Sequence, residues 1–294
     1  MDLLLDCTLD AGIDTLKLFP FLFATYVVME AIERRTEESS GQLILMKRAG
    51  SLGPVLGGLI GIVPQCGFSA AASSLYAGGL ISLGTLLSVF LSTSDEMLPL
   101  LISSQVSIRV MVQILLYKAL IGILSGLAAD FTLKHILHKS PELKHIHDLC
   151  EDEHCGCEEE EGSLLRAALI HTLHIALFVL VISLALNLLV ESFGEDAVRS
   201  ALIGVPVLGI FLIAAVGLIP NCASSILITR LYLDGLIAAG QMMSGLLVGS
   251  GVGLLVLFRT NSRHLRENIK ITILLYVLGV AWGLLLTGLD VHFG

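Results

Sequence analysis

Charge is what this chain has least of. Only 15% of its 294 residues are Asp, Glu, Lys or Arg, against 55% apolar, and the mean hydropathy is +0.87. A water-soluble domain does not keep that ratio, whereas a polytopic membrane protein does. The few basic residues form no clustered patch, which excludes nucleic acid as a partner. The N-terminal MDLLLDCTLDAGID has neither a basic n-region nor a small-residue cleavage motif, so it does not read as a secretory signal. Paired C-x-x-C knuckles, an H-E-x-x-H motif and a Ser-His-Asp order are all missing. That argues against a rigid zinc site and against hydrolytic machinery. The expectation is a protein that is not an enzyme and carries no resident cofactor. Six cysteines fall into two sets, Cys7, Cys66 and Cys222 in or near apolar segments and Cys150, Cys155 and Cys157 in a polar loop, which is not a disulfide framework.

Proline is scarce too, and two of the seven stand where lipid-facing helices should be unbroken. Pro64 lies in GIVPQCGFSAAASSLYAGGLISLGTLLSVFLSTSD from Gly61, and Pro220 in GLIPNCASSILITRLYLDGLIAAGQMMSGLLVGSG from Gly217. The second stretch is the first again, 156 residues on and without a gap, with 13 of 34 positions identical. Each proline is followed by an amide and a thiol, Gln65-Cys66 and Asn221-Cys222. Proline removes a backbone donor and frees an upstream carbonyl. Within a bilayer such freed groups are tolerated only where protein or a polar cavity satisfies them. Interruptions at matching places in two halves point to a transporter's binding site.

The rest of the chain fits around that duplication. The first apolar run extends from about Asp14 to Ile32, and Leu52 to Ser104 is a broken region whose apolar pieces are roughly 13 residues each, about 20 Å as helix. Those pieces fall short of the ~30 Å hydrocarbon core, as re-entrant or discontinuous helices do. Val110 to Ala129 follows as a full-length segment. The plan repeats with Leu164 to Val190, a broken region from Ala201 to Phe258, and a last span from Ile271 to Leu289. Glycines at intervals of four, Gly53-Gly57-Gly61 and Gly245-Gly249-Gly253, supply surfaces for close helix contact. Loops Glu33 to Ser51 and Arg259 to Lys270 hold four basic residues each, while the corresponding loops of the other half hold one each. By the positive-inside rule corresponding loops then lie on opposite sides. The expected fold class is an all-α polytopic membrane protein of two inverted repeats with about five membrane segments each, with discontinuous or re-entrant helices at Pro64 and Pro220. Three crossings plus re-entrant hairpins is the alternative. The boundaries are 1–129 for the first repeat, 130–163 for a cytoplasmic loop and 164–294 for the second repeat, with the N-terminus outside.

The candidate chemistry is concentrated at the breaks. Asp95 and Glu96, in STSDEMLP, are the most unusual residues, since an acid near the bilayer centre costs roughly 2.5–3.5 kcal/mol and normally faces a polar interior. The functional reading is a cation ligand or proton carrier; the competing one is a Ser/Thr/Asp cap on the helix that follows, Glu96 being the better candidate for a mere cap. Gln65, Asn221, Cys66 and Cys222 supply amide oxygens and thiols suited to a metal ion, although a membrane thiol also packs as a small apolar group. Ser69, Ser92, Thr93, Ser94 and Ser225 line the same stretches, or simply satisfy helix carbonyls. Lys118, in the middle of an apolar segment, suits a counter-charge for Asp95 when no ion is bound.

The loop from Asp130 to Ser163 holds ten acids against three lysines, so it carries seven of the nine net negative charges. His135, His138, His145, His147, Cys150, His154, Cys155 and Cys157 place eight metal-ligating side chains in 23 residues. Such a tract suits weak, exchangeable metal capture better than one rigid site. His171 and His174, one turn apart at the start of a span, either pass ions inward or cap a helix end.

With GIVPQCGFSAAAS, STSDEMLP, GLIPNC and MMSGLLVGSGVGLLVLFR in view, the chain resembles the family of ten-helix heavy-metal exporters, also labelled manganese transporters. The likeness implies a bacterial inner-membrane protein with an efflux role. Related permeases move arsenicals by means of thiols, which keeps Cys66 and Cys222 open for that substrate. A carboxylate with two amides suits Mn²⁺ better than arsenite, which wants several thiolates. The expected function is export of a divalent transition-metal ion, Mn²⁺ favoured, by alternating access coupled to protons. An arsenical or small organic anion permease, or an ion channel, is the alternative. Expected partners are the ion, membrane lipid and at most further copies of the chain.

Overall fold

The computed structural model describes residues 12–27 (14, 17 and 21 apart), 52–136, 164–193 and 206–293. Every regular element among them is helical. In the first half these are α1 (Leu18–Val27), α2 (Gly53–Gly61), α3 (Gly67–Ala77), α4 (Leu83–Ser92), α5 (Met97–Ser103) and α6 (Ile108–Phe131), the last prolonged by a π turn, Thr132–Ile136. The second half gives α7 (Leu164–Phe193), α8 (Pro206–Gly217), α9 (Cys222–Leu233), α10 (Ala239–Val248), α11 (Gly253–Thr260) and α12 (Leu265–Gly288). Adding 156 to the bounds of α4 gives those of α10, and each pair from α2 and α8 to α6 and α12 agrees within three residues.

Turn chemistry repeats as closely as helix length does. Pro64 and Pro220 each centre a three-residue turn, closed by Gln65 N–H to Val63 O and by Asn221 N–H to Ile219 O, both 2.7 Å. Proline, with a fixed φ and no N–H, suits a turn that ends one helix and aims the chain into the next. At the far end of the hairpins Gly79 (φ +71°) and Gly235 (φ +72°) stop α3 and α9. Gly79 N–H bonds Tyr76 O and Leu80 N–H bonds Leu75 O, as Gly235 bonds Tyr232 and Leu236 bonds Leu231. This is the left-handed helix stop that glycine adopts without Cβ strain.

Close helix contacts set the direction of each segment. A Cβ on Gly57 would stand 3.0 Å from Thr85 O, and one on Gly61 would stand 2.9 Å from Val89 O and strike Ser92 Oγ. Helices α2 and α4 therefore run side by side in one direction, and α3 doubles back between them. Helix α6 runs against α4, with Gly126 on Gly84 and Ser88, and Gly122 on Ser88 and Ser92. The second half repeats this, Gly217 of α8 meeting Gly245 of α10 while Gly279 and Gly283 of α12 press on Ser244. The glycine stripe expected there holds at Gly245 and Gly253 but not at Gly249, where a Cβ would find nothing closer than 3.3 Å.

At about 1.5 Å per residue, the 9 residues of α2 and 11 of α3 are too short to cross a bilayer singly. They form a hairpin, as α8 and α9 do. Among the described residues four stretches are long and apolar enough to cross: Leu83–Ser103, Ile108–His135, Ala239–Thr260 and Ser262–Gly288. The first and third are the tandems α4–α5 and α10–α11, each interrupted midway. Ile108, Val112, Leu116, Leu120 and Leu124 on α6, and Leu265, Ile269, Ile273 and Val277 on α12, are exposed at intervals of four. A continuous apolar stripe turned outward is the face a helix presents to lipid.

The halves interlock by exchanging hairpins. Helix α3 lies along α11, with Ser73 Oγ donating to Gly253 O at 2.7 Å and Tyr76 OH donating to Glu267 near the start of α12. Helix α9 packs reciprocally on α5. Trp282 Nε1 of α12 donates to Ser125 Oγ of α6 at 2.9 Å. The last span begins at Leu265 rather than at the expected Ile271. The reason is that Arg266 and Lys270 fall on an exposed helical face, while a buried pair, Asn261 Nδ2 to Asn268 Oδ1 at 2.6 Å, holds the turn before it.

Candidate functional site

Two interrupted helices cross at their interruptions. Between α4 and α5 the chain unwinds over Thr93 to Glu96, and Asp95, only 5% exposed, takes φ +30°. Between α10 and α11 it unwinds over Gly249 to Val252, and Gly251 takes φ +55°. These are the same position in the two repeats, and they touch. A Cβ on Gly251 would stand 2.5 Å from Asp95 Oδ2 and 3.2 Å from Oδ1. Equivalent positions of the two repeats thus set a carboxylate against a glycine. Only glycine fits here, because the backbone is left-handed and the neighbouring carboxylate occupies the Cβ position.

Lys118 supplies the second charge. It lies in the middle of α6, only 1% exposed, and its Nζ donates to Leu246 O at 2.5 Å. That carbonyl is among the last of α10, where interruption removes the intrahelical donor. The ammonium also acts electrostatically on Asp95, so one cation satisfies a helix end in the second half and faces the carboxylate of the first. Elements α2, α4 and α10, which surround it, contain no other titratable side chain.

The hairpin tips come to the same level. Ser94 Oγ donates to Ile62 O at 2.6 Å, tying the first break to the tip that carries Pro64 and Gln65. Gln65 is half-buried; Asn221 is buried at the N-cap of α9, with Oδ1 accepting from Ala223 N at 3.3 Å. Cys66 and Cys222 are both buried and lie in one apolar cluster with Leu18, Leu22, Ala70 and Val252. Glu96 occupies the N-cap of α5 with no side-chain cap bond, so it does not serve as the simple helix cap that STSDE suggests. Of the serines and threonines singled out, Ser69, Ser92, Thr93 and Ser225 bond to carbonyls three or four residues back in their own helices. They stabilise helix backbone in an apolar setting.

Among the described residues no group of three His, Cys, Asp or Glu side chains converges. Any cation at the crossing would be held by one carboxylate together with amide, hydroxyl and backbone oxygens. The loop ligands His145, His147, Cys150, His154, Cys155 and Cys157 lie outside the described residues, as do His138 and the side chain of His171. His174 is exposed on α7.

Two features were not foreseen from the residues alone. Asp130, counted with the acidic loop, is the last turn of α6 and clamps the start of α4, accepting from Gly84 N at 2.8 Å and Ser82 Oγ at 2.6 Å. Ser250, beside Gly251, is 1% exposed, and it is the repeat partner of Ser94. The 156-residue offset was the signal that would have found it.

Helices interrupted at matching points, meeting over a buried charge inside an apolar shell, are the architecture of a membrane transporter. The chain belongs to the family described as "Putative, 10TM heavy-metal exporter", whose model matches residues 4–163. No curated protein and no solved structure matches it. The family match covers the first half and the central loop; the second half is tied to the first by the repeat itself.

Proposed function

We propose that this protein exports a divalent transition-metal ion, Mn²⁺ before others, through a site at the crossing of the two interrupted helices. The observation that carries the reading is the Asp95 carboxylate set against the backbone of Gly251. A buried acid at a helix break is costly unless it meets a cation, and oxygen-rich donors suit a hard ion. Gln65 and Asn221 at the hairpin tips complete the donor set, with Cys66 and Cys222 behind them; Glu96 stands beside it. A carboxylate at the crossing disfavours an anionic substrate.

The way the segments run supports alternating access. Helix α11 lies parallel to α3, whereas α5 continues the direction of α4, opposite to α3. The two tandems therefore run in opposite senses, which supports repeats inverted across the membrane and a rocking of one half against the other. Lys118 is the competing internal cation: it neutralises Asp95 in the empty state and yields to the ion, so that release re-forms the Lys118–Asp95 interaction. The central His/Cys loop collects ions on the cytoplasmic side of the inner membrane.

The test is Mn²⁺ export from cells or proteoliposomes carrying Asp95→Asn. Losing the Asp95 carboxylate removes about 3 kcal/mol of charge interaction, equivalent to a drop on the order of 100-fold in export. Unchanged manganese export would end this reading.

A further inference from the structure

The second half contributes something to the crossing besides the space left by Gly251. Ser250 precedes that glycine, is 1% exposed, and its Oγ has no hydrogen-bond partner. It is alone in this among the buried hydroxyls of the described residues. The contrast with its repeat partner is direct. Ser94, equally buried, donates to Ile62 O at 2.6 Å and fastens the first hairpin tip to its own break. Ser250 stands at the corresponding place beside the second tip, where Asn221 caps α9, and makes no such bond.

An unsatisfied hydroxyl in a dry interior is destabilising, and in a native fold it signals a partner absent from the protein itself. Here the neighbouring backbone lies against the Asp95 carboxylate. A hydroxyl oxygen has lone pairs to offer a cation whether or not its proton is engaged. We infer that Ser250 Oγ is an oxygen ligand for the transported cation, contributed by the second half to match Asp95 from the first. The inference rests on the export reading above. It also supplies what the described carboxylates and thiols do not, since no three of them converge. The site is then built from unlike halves: one gives charge, the other a neutral oxygen and room.

The experiment is direct binding of Mn²⁺ and Cd²⁺ to the purified full chain in detergent, by titration calorimetry, for wild type, Ser250→Ala, Ser250→Cys and Ser94→Ala. Ser250→Ala is expected to weaken Mn²⁺ binding about tenfold, the usual scale for losing one neutral interaction at a metal site, with an unaltered melting temperature in the absence of metal. Ser250→Cys exchanges a hard donor for a soft one and is expected to raise the Cd²⁺ to Mn²⁺ affinity ratio more than tenfold. Ser94→Ala, which removes the bond to Ile62, is expected to lower the melting temperature while leaving that ratio unchanged. Wild-type Mn²⁺ affinity in Ser250→Ala together with an unchanged ratio in Ser250→Cys would overturn the assignment while export of metal stands. Wild-type protein that binds neither ion would overturn both.

Discussion

The two halves share helix lengths, turns and glycine contacts, yet their interiors differ in one consistent way. Three charged residues of the first half have uncharged equivalents 156 positions on: Asp95 and Lys118, which meet the second half, become Gly251 and Leu274, and Asp130, half-buried within its own half, becomes Leu286. Where Asp95 meets its own repeat equivalent, Gly251, the difference has a physical reason. Had both repeats kept the acid, two carboxylates would share one low-dielectric space, and like charges that close cannot both stay ionised. A duplicated chain therefore has to break its symmetry where the copies touch. The first half has become the source of charge and the second the wall against which it is held.

The strongest way to break that comparison is to remove the cation that serves both halves. In Lys118→Met the Leu246 carbonyl loses its donor and Asp95 loses its compensating charge. A stability loss of about 3 kcal/mol is expected, near the lower end for breaking a buried charge interaction. Adding Asp95→Asn should restore part of it, and that coupling is the diagnostic quantity of a double-mutant cycle measured by thermal melting. Additive effects of the two substitutions would mean the charges do not act on one another.

A smaller effect is expected from filling the wall. Gly251→Ala puts a side chain on a left-handed backbone, at about 1–2 kcal/mol for the conformation alone, and displaces the carboxylate whose Oδ2 lies 2.5 Å from the new atom. Manganese export should fall more steeply than stability. At Gly249, where a Cβ would press on Gly245 O at 3.3 Å but reach no side chain within 4 Å among its nearest atoms, the same substitution should change transport little. Equal responses at the two glycines would show that the approach to Asp95 has no special role.

Much of this was legible in the residues. Duplication, hairpin and break positions follow from Pro64, Pro220 and the 156-residue offset, because proline chemistry and glycine turns are local and repeat with the sequence. Asp95 and Lys118 stand out because charge inside an apolar run always requires a partner. What could not be read was who meets whom. That α3 packs on α11 rather than on its own half, and that Asp95 faces its own repeat equivalent, depends on how the hairpins interlock, which periodicity does not encode. The caps misled for a related reason. STSDE carries the composition of an N-cap, but the backbone at Asp95 turns left-handed and Glu96, at the cap position, makes no side-chain cap bond. Asp130 borders a charged stretch and so reads as loop, although its carboxylate turns back onto the start of α4.

That residue offers the mildest test of the asymmetry. In the first half the N-terminus of α4 is closed both from within, by Ser82 Oγ accepting from Thr85 N at 3.1 Å, and from outside, by Asp130 reaching across from α6 to Gly84 N and Ser82 Oγ. In the second half Leu286 has no such reach, and α10 is closed from within, Gln241 Oε1 accepting from Ala238 N at 2.7 Å. Asp130→Asn keeps the shape and one acceptor oxygen but removes the negative charge beside a helix N-terminus, an interaction of about 0.3–1 kcal/mol. The expected outcome is a slightly lower melting temperature with Mn²⁺ affinity and export unchanged, since this carboxylate fastens the start of α4 to the end of α6. If Asp130→Asn instead abolished export as Asp95→Asn is expected to, the carboxylate would belong to the ion's route, and the first half would carry two functional acids rather than one.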